Sequence, residues 1–109
     1  FPMHIGHGVV TVIEAEGKLR GFMVAWPQAD AYLIDNIAVD PAAQGQGLGR
    51  KLIDHAVGEA RRLGLPALRL YSNVAMTENL AMYRRMGFVE THRAMENGFN
   101  RVYMRWDLP

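Results

Sequence analysis

Residues 37–50 read IAVDPAAQGQGLGR, a stretch in which an apolar run passes through a proline into a loop with three glycines. Beyond it, apolar residues recur every three or four positions as far as Leu63, where Gly64 and Pro66 end the pattern. The stretch therefore predicts a strand, a glycine-rich loop and a helix from about Gly47 to Leu63. Glycines that open a helix leave several backbone N–H groups without an intrahelical partner, which suits an anion such as a phosphate.

Outside this stretch, the patterns predict further short strands and one more helix. Runs rich in β-branched or aromatic residues predict six strands, at 9–15, 19–26, 31–39, 67–71, 88–95 and 99–108. Helical spacing over 78–86 predicts the second helix, which Gly87 ends. Turn residues at Glu16-Gly17 and Asn97-Gly98 predict two hairpins. The order of elements indicates an α/β fold around a mixed sheet, with one right-handed crossover.

Composition and charge exclude several classes of protein. The 109 residues are expected to form a single domain. Twelve Lys and Arg nearly balance eleven Asp and Glu, for a net charge of +1, which is not the footprint of a nucleic-acid binder. No stretch approaches ~18 apolar residues and the start lacks a signal-peptide pattern, so no membrane partner is expected. The absence of cysteine excludes a thiolate nucleophile and permits a cytoplasmic location.

The histidines and methionines do not indicate a ligand site. His4 and His7 are interpreted as polar residues near the start of the chain, His55 is expected to face solvent, and no metal site is predicted. Four methionines are interpreted as core residues: Met82, Met86, Met95 and Met104.

Residues 44–50 match neither of two common phosphate-binding loops. A Walker A loop needs Gly-Lys-Ser/Thr, but Gly49 is followed by Arg50-Lys51-Leu52, which offers no hydroxyl for magnesium. The dinucleotide fingerprint needs a third glycine where this chain has Arg50. The spacing Gln-x-x-Gly-x-Gly, at Gln44, Gly47 and Gly49, matches neither pattern. A glycine-rich turn with a purely structural role is the remaining alternative.

The segment from Ile37 to Leu52 resembles the acetyl-CoA signature of the GNAT family of N-acetyltransferases. It has the strand ending in Ala38-Val39, the proline two residues on, and the Gln-x-x-Gly-x-Gly entry to a long helix. The resemblance implies an α/β fold with a mixed, mostly antiparallel sheet and helices on both faces. It also implies acetyl-CoA as co-substrate, with its diphosphate held by the loop amides and its pantetheine arm between two splayed strands, 34–39 and 68–71.

A second segment, from Asn79 to Phe88, is also similar to this family, whose domains carry a helix with Asn and Tyr that ends in Gly-Phe. Asn79 and Tyr83 are four residues apart and share a helix face. From spacing alone, a core tyrosine with a solvated asparagine is the alternative. The resemblance implies these residues contact the cofactor: Ile37, Ala38, Val39, Gln44, Gly45, Gln46, Gly47, Leu48, Gly49, Arg50, Asn79 and Tyr83.

The mechanism that the resemblance implies is direct transfer of the acetyl group to an amine, with Tyr83 protonating the departing thiolate. The Val39 N–H is expected to polarise the thioester carbonyl. An alkyl ammonium has a pKa of about 10, so a general base is needed. Asp35, on the strand beside the cleft, is the preferred candidate, and Glu14 on the hairpin is the other. Asp35 as a solvated residue without a role is the alternative.

The acceptor is expected to be a small-molecule or peptide amine, and a homodimer through the exposed final strand is possible. Domains of this family usually begin with a strand and helices that cover the acceptor side. Only eight residues precede the first predicted strand here, so we expect one domain over 1–109 that lacks this part. A non-catalytic acyl-CoA–binding or sensing domain is therefore the alternative function, and a pure interaction module is a third.

Overall fold

The computed structural model describes the backbone of residues 2–5 and 8–109 and the side chains of residues 10–109. The interpretation of His4 and His7 lies outside the described side chains. The described residues form seven strands and two α-helices, here numbered β1 (Pro2–Ile5), β2 (Gly8–Ala15), β3 (Lys18–Gln28), β4 (Ala31–Val39), α1 (Leu48–Arg62), β5 (Ala67–Asn73), α2 (Thr77–Met86), β6 (Val89–Glu96) and β7 (Phe99–Asp107).

The strands form one mixed sheet in the order β1-β2-β3-β4-β5-β7-β6. Every neighbouring pair is antiparallel except β4 and β5, which α1 connects in parallel. The α/β class and the mixed, mostly antiparallel sheet are therefore confirmed. The prediction that the first strand begins at residue 9 was wrong, because Pro2–Ile5 already forms β1. This four-residue edge strand has little pattern of its own, and its pairing with β2 defines it.

Turn chemistry accounts for the accuracy of the other boundaries. The hairpin β2–β3 turns at Glu16-Gly17 and the hairpin β6–β7 at Asn97-Gly98, and in both turns the two central residues have positive φ. This backbone geometry matches the right-handed twist of the flanking strands. Helix α1 stops beside Gly64, which adopts a φ of +73°. His55 lies on the exposed side of α1, as predicted.

Both described helices pack against the same face of the sheet, where we expected helices on both faces. A Cβ added at Gly21 of β3 would lie 3.6 Å from Leu52 of α1, and one added at Gly49 of α1 would lie 3.5 Å from Met82 of α2. The buried apolar residues of both helices join those of β3, β4, β5 and β7 in one cluster. Among the described residues, the opposite face of the sheet carries no helix, and we call it the uncovered face.

A β-bulge interrupts β4 at Asp35. Val24 of β3 pairs with Asn36 of β4, whereas the next residue of β3, Ala25, pairs with Ile34. Asp35 is therefore an extra residue in β4 with no partner in β3. Since side chains alternate between faces, the extra residue returns the side chains that follow to the helix-covered face, where Ile37 packs against the core.

The bulge coincides with a fork between β4 and β5. Their parallel pairing runs from Ala31 opposite Ala67 to Ile34 opposite Leu70 and extends no further among the described residues. Beyond it, β4 stays paired with β3, while β5 stays paired with β7 as far as Asn73. The two strands therefore part only beyond Ile34 and Leu70, later along β5 than the segment 68–71 that the resemblance implied, and they leave one side of β4 open.

Candidate active site

The glycine loop follows β4 and is held in place by Asp40. The Asp40 carboxylate accepts a hydrogen bond from the backbone N–H of Ala42 at 2.9 Å and caps the short 3-10 turn Pro41–Ala43. It also pairs with Arg20 of β3 at 3.1 Å. Both partners hold the pKa of the Asp40 carboxyl below its usual value, the backbone hydrogen bond first. The loop therefore starts from a fixed point on the sheet.

Two glycines give the loop its shape. Gly45 and Gly47 adopt φ values of +85° and +74°, in the left-handed region that other residues enter at a cost. A Cβ at either position would meet nothing within 4 Å, so conformation and not space requires glycine there. Gly47 is the N-cap of α1, and as a glycine it brings no side chain to cap the helix.

The backbone amides of residues 45–50 are the central feature of the site. The first backbone hydrogen bond of α1 runs from the N–H of Lys51 to the carbonyl of Gly47. None of the six preceding amides, from Gly45 to Arg50, donates to a backbone carbonyl or a side chain within the described part of the chain. Such amides at a helix N-terminus attract an anion, and the helix dipole adds to that attraction.

The end of β4 adds further unpaired backbone groups. The N–H of Asp40 donates to the carbonyl of Arg20 at 2.7 Å, toward β3. Because successive residues of a strand direct their backbone groups to alternate sides, Val39 and Ile37 direct theirs away from β3, into the fork. These groups are available to an extended ligand that takes the place of a neighbouring strand.

The loop, the end of β4 and α2 enclose a cavity of about 490 Å³, within the usual size of a small-molecule site. The cavity brings together eleven of the twelve residues predicted to contact the cofactor: Ile37, Ala38, Val39, Gln44, Gly45, Gly47, Leu48, Gly49, Arg50, Asn79 and Tyr83. Gln46 is the exception, since it lies in the loop but is exposed and does not line the cavity.

Tyr83 projects from α2 through the core into the cavity. Its side chain is only 3% exposed, and its ring packs edge-on against Phe88 with centroids 5.8 Å apart. The hydroxyl makes no hydrogen bond to the described residues, yet it is not sealed off from solvent. Burial raises the pKa of Tyr83 to about 12, so the hydroxyl is a proton donor at neutral pH.

The turn after α2 fixes how the helix meets the sheet. Gly87 has a φ of +126°, and a Cβ there would lie 2.6 Å from the indole nitrogen of Trp106 on β7. Only glycine permits this close approach, and Phe88 then packs on Trp106 with ring centroids 5.5 Å apart. The Gly-Phe pair that ends α2 thus sets the orientation of Tyr83.

Asp35, the predicted base, lies at the fork but not in the cavity lining. Its carboxylate accepts a hydrogen bond from the Tyr71 hydroxyl at 3.0 Å, just past the last β4–β5 backbone pair. Tyr71 belongs to an aromatic group on the uncovered face, with Tyr103 at 5.4 Å between centroids and the Arg101 guanidinium over its ring. Burial first, and then the bond to Asp35, raise the pKa of Tyr71. Glu14 is exposed on β2 and also lies outside the cavity lining.

The cavity includes residues that the sequence patterns did not indicate: Ala43, Met76, Glu78, Met82 and Arg85. Met82 was interpreted as core, and Met95, another methionine interpreted as core, is 64% exposed. Residues 78, 82 and 85 are spaced by four and three positions, so they share the face of α2 that also carries Asn79. This spacing could have placed them in the cavity.

The electrostatics of the cavity favour an anion at the end formed by the loop. Arg50 and Arg85 line the cavity, and no acidic residue occupies the first turn of α1. Glu78, in the first turn of α2, is the acidic residue in the cavity lining. Among the described residues, no group of three or more His, Cys, Asp or Glu is arranged to hold a metal ion. No helix among the described residues is long and apolar enough to cross a membrane.

Comparisons with known proteins agree with this geometry. Residues 6–90 match the family model described as an acetyltransferase (GNAT) domain. The chain is 36% identical to the [ribosomal protein bS18]-alanine N-acetyltransferase of Escherichia coli (strain K12) over 68% of this chain and 50% of that protein. It thus spans about half the length of that curated relative.

Two solved structures share the fold. The IAA acetyltransferase from Bacillus cereus ATCC 14579 superposes with a TM-score of 0.83 at 26% identity, over 94% of this chain and 79% of that one. A GNAT family acetyltransferase from Elizabethkingia anophelis with acetyl-CoA bound superposes with a TM-score of 0.80 at 22% identity, over 94% and 77%. With the family model covering most of the chain and the predicted loop in place, this chain belongs to the GNAT family of acetyltransferases.

Proposed function

We propose that this domain transfers an acetyl group from acetyl-CoA directly to an amine. The observation that carries the proposal is the row of amides at residues 45–50, which lack acceptors among the described residues and, except for Gln46, belong to residues that line the same cavity as Tyr83. An anion-binding loop and a proton donor in one cavity are what a phosphate-bearing acyl donor requires. The acetyl-CoA bound to the Elizabethkingia protein, which shares the fold, supports the same choice of ligand.

The residues present fit coenzyme A. The amides of the loop and the guanidinium of Arg50 would hold its diphosphate, and the free backbone groups of Ile37 and Val39 would hold its pantetheine arm like an added strand. Bound there, acetyl-CoA would supply a thioester as an activated acetyl group. The Val39 N–H, directed into the fork, is our candidate for polarising the thioester carbonyl.

Two side chains have proton-transfer roles in this proposal. Tyr83 would donate its proton to the leaving sulfur, since its hydroxyl stays protonated at neutral pH and faces the cavity. Asp35 would accept the proton of the acceptor ammonium, directly or through water, because it lies at the fork where β4 and β5 part. Tyr71 would act as a positioning residue by holding one Asp35 oxygen. Glu14 lies two strands away on β2 and is the weaker candidate.

The acceptor would approach from the uncovered face, where the fork opens beside Asp35 and Tyr71. The names of relatives include a ribosomal-protein alanine acetyltransferase, a mycothiol acetyltransferase and an IAA acetyltransferase. They support an amine in a small molecule or a peptide as the acceptor class. A cytoplasmic location and a homodimer remain predictions from the sequence.

The proposal is tested in two steps with the chain as it stands. Isothermal titration should detect coenzyme A binding, and release of free thiol from acetyl-CoA should then depend on an added amine from a panel of amino acids, peptides and polyamines. Asp35→Asn should slow thiol release and leave coenzyme A binding unchanged, with Glu14→Gln as the matched control. Binding without turnover for any amine would indicate the non-catalytic alternative, and no binding at all would overturn the proposal.

A further inference from the structure

Arg85 stands out because it lies across the cavity from the glycine loop. It belongs to the last turn of α2, whereas the loop opens α1. Its neighbour Arg84 forms an ion pair with Glu90 at 3.6 Å and lies outside the cavity lining. Arg85 lines the cavity, and no ion pair or hydrogen bond engages its side chain within the described residues. Two adjacent arginines of equal charge thus have different surroundings.

The helix geometry brings Arg85 close to the loop. A Cβ at Gly49, in the first turn of α1, would lie 3.5 Å from the terminal methyl of Met82. Arg85 follows Met82 by three residues and so lies on the same side of α2, one turn further on. Arg50 directly follows Gly49. Arg50 and Arg85 therefore flank the place where Met82 of α2 approaches Gly49 of α1, one on each wall of the cavity.

The charge of coenzyme A exceeds what the loop alone would meet. Its diphosphate carries about two negative charges at neutral pH, and its ribose 3′-phosphate carries nearly two more. The loop amides and Arg50 belong to one wall and suit the diphosphate. A second phosphate a few ångströms away needs a cation that does not come from the loop, and guanidinium is well suited to phosphate.

We propose that Arg85 binds the ribose 3′-phosphate of coenzyme A and makes the domain selective for coenzyme A over its 3′-dephospho form. The assignment rests on the proposed function, since it takes coenzyme A as the ligand. It concerns affinity only, because the ribose 3′-phosphate and the thiol lie at opposite ends of coenzyme A, so a group that binds this phosphate takes no part in acetyl transfer.

The test is isothermal titration of the chain with coenzyme A and with 3′-dephospho-coenzyme A. The wild-type chain should bind coenzyme A about tenfold more tightly than the dephospho form. Arg85→Gln should lower the affinity for coenzyme A about tenfold and leave the affinity for the dephospho form within about twofold. Arg84→Gln, the matched control on the next residue, should change neither affinity. Because both arginines are exposed, both variants should fold, which circular dichroism checks.

The outcomes separate this assignment from the proposed function. If the wild-type chain binds coenzyme A but Arg85→Gln weakens both ligands equally, Arg85 contacts the diphosphate and the assignment is wrong. If Arg84→Gln has the same effect as Arg85→Gln, the effect is general electrostatics and the assignment is again wrong. If the wild-type chain binds neither ligand, the proposed function fails and this assignment fails with it.

Discussion

Two helix N-termini line the same cavity, and they differ in almost every respect. Helix α1 begins after Gly47, has no acidic residue in its first turn and carries Arg50 and Lys51 there. Helix α2 begins after Met76 and has Glu78 in its first turn. A negative charge near a helix N-terminus stabilises the helix, and a positive charge destabilises it by about 0.3–1 kcal/mol. The N-terminus of α2 thus already has a negative charge beside it, whereas the N-terminus of α1 has none and would be stabilised by a bound anion.

The contrast indicates a division of roles across the cavity. The start of α1 has groups that bind, namely unpaired amides and a guanidinium, but no group that transfers a proton. Helix α2 carries the Tyr83 hydroxyl, which can donate a proton, and its first turn already contains the acidic Glu78. Changes to the start of α1 should therefore alter ligand affinity, and changes to Tyr83 should alter the rate.

The largest expected effect comes from Tyr83→Phe. Loss of the proton donor should lower kcat for thiol release about 100-fold, because general acid catalysis contributes about that much. The dissociation constant of coenzyme A should change by less than about twofold, as the ring remains in place. Tyr32→Phe is the matched control, since Tyr32 is 2% exposed in the same core and lies outside the cavity lining. An unchanged kcat in Tyr83→Phe would show that the hydroxyl takes no part in the mechanism and that α2 has no proton-transfer role to set against the binding role of α1.

The next effect is on alkaline stability. Below pH 10 the Tyr83 hydroxyl is protonated in both the folded and the unfolded chain, so it makes no difference to stability there. Between about pH 10 and pH 12 the unfolded chain loses this proton and the folded chain keeps it, so the free energy of unfolding falls as pH rises. The loss should amount to about 2 kcal/mol in the wild type beyond that in Tyr83→Phe. The free energy of unfolding is measured by urea unfolding at several pH values in this window. If it falls equally with pH in the wild type and in Tyr83→Phe, the Tyr83 hydroxyl does not have a raised pKa in the folded chain.

A pair of glycine substitutions in one region tests the start of α1. Gly47→Ala forces alanine into a left-handed backbone and should destabilise the fold by about 1 kcal/mol and weaken coenzyme A binding. Gly58→Ala, in the middle of the same helix with open space for a Cβ, should instead stabilise by about 0.5 kcal/mol and leave binding unchanged. Urea unfolding and isothermal titration measure both. The same sign in both variants would mean that the geometry at Gly47 carries no special requirement.

The smallest effects come from charge removal at the two N-termini, and their signs should be opposite. Arg50→Gln should stabilise the ligand-free chain by roughly 0.3 kcal/mol and weaken coenzyme A binding about fivefold. Glu78→Gln should destabilise it by a similar amount and strengthen binding about twofold, since a carboxylate leaves the cavity wall. Thermal unfolding and titration at low salt resolve these shifts. Effects of the same sign would show that the two N-termini do not differ as the charges indicate.

Features fixed by local chemistry were predictable from the sequence. The turn at Asn97-Gly98, the end of α1 at Gly64 and the open loop at Gly47 each depend on the backbone preferences of one or two residues. Eleven of the twelve predicted contact residues line one cavity for the same reason, since they follow one another along the loop or share one helix face.

Features that depend on pairing between distant segments were not predictable. Strand β1 has only four residues and is defined by its partner β2. The bulge at Asp35 adds one residue to an otherwise regular strand, and nothing in the composition of β4 marks it. The position of Arg85 opposite the loop arises from the approach of Met82 to Gly49, which brings together two helices that are separate in sequence.

The bulge in β4 also determines where the chain tolerates a change of length. A single deletion between Ile34 and the glycine loop would shift the register by one residue and turn Ile37 and Val39 from the core to the other face. An insertion there would do the same, whereas one at the exposed Asn97-Gly98 turn would leave every register of the sheet intact. Peptide tags or fused domains therefore belong at that turn, and length variants of the β4 end should be lost from any library selected for folding.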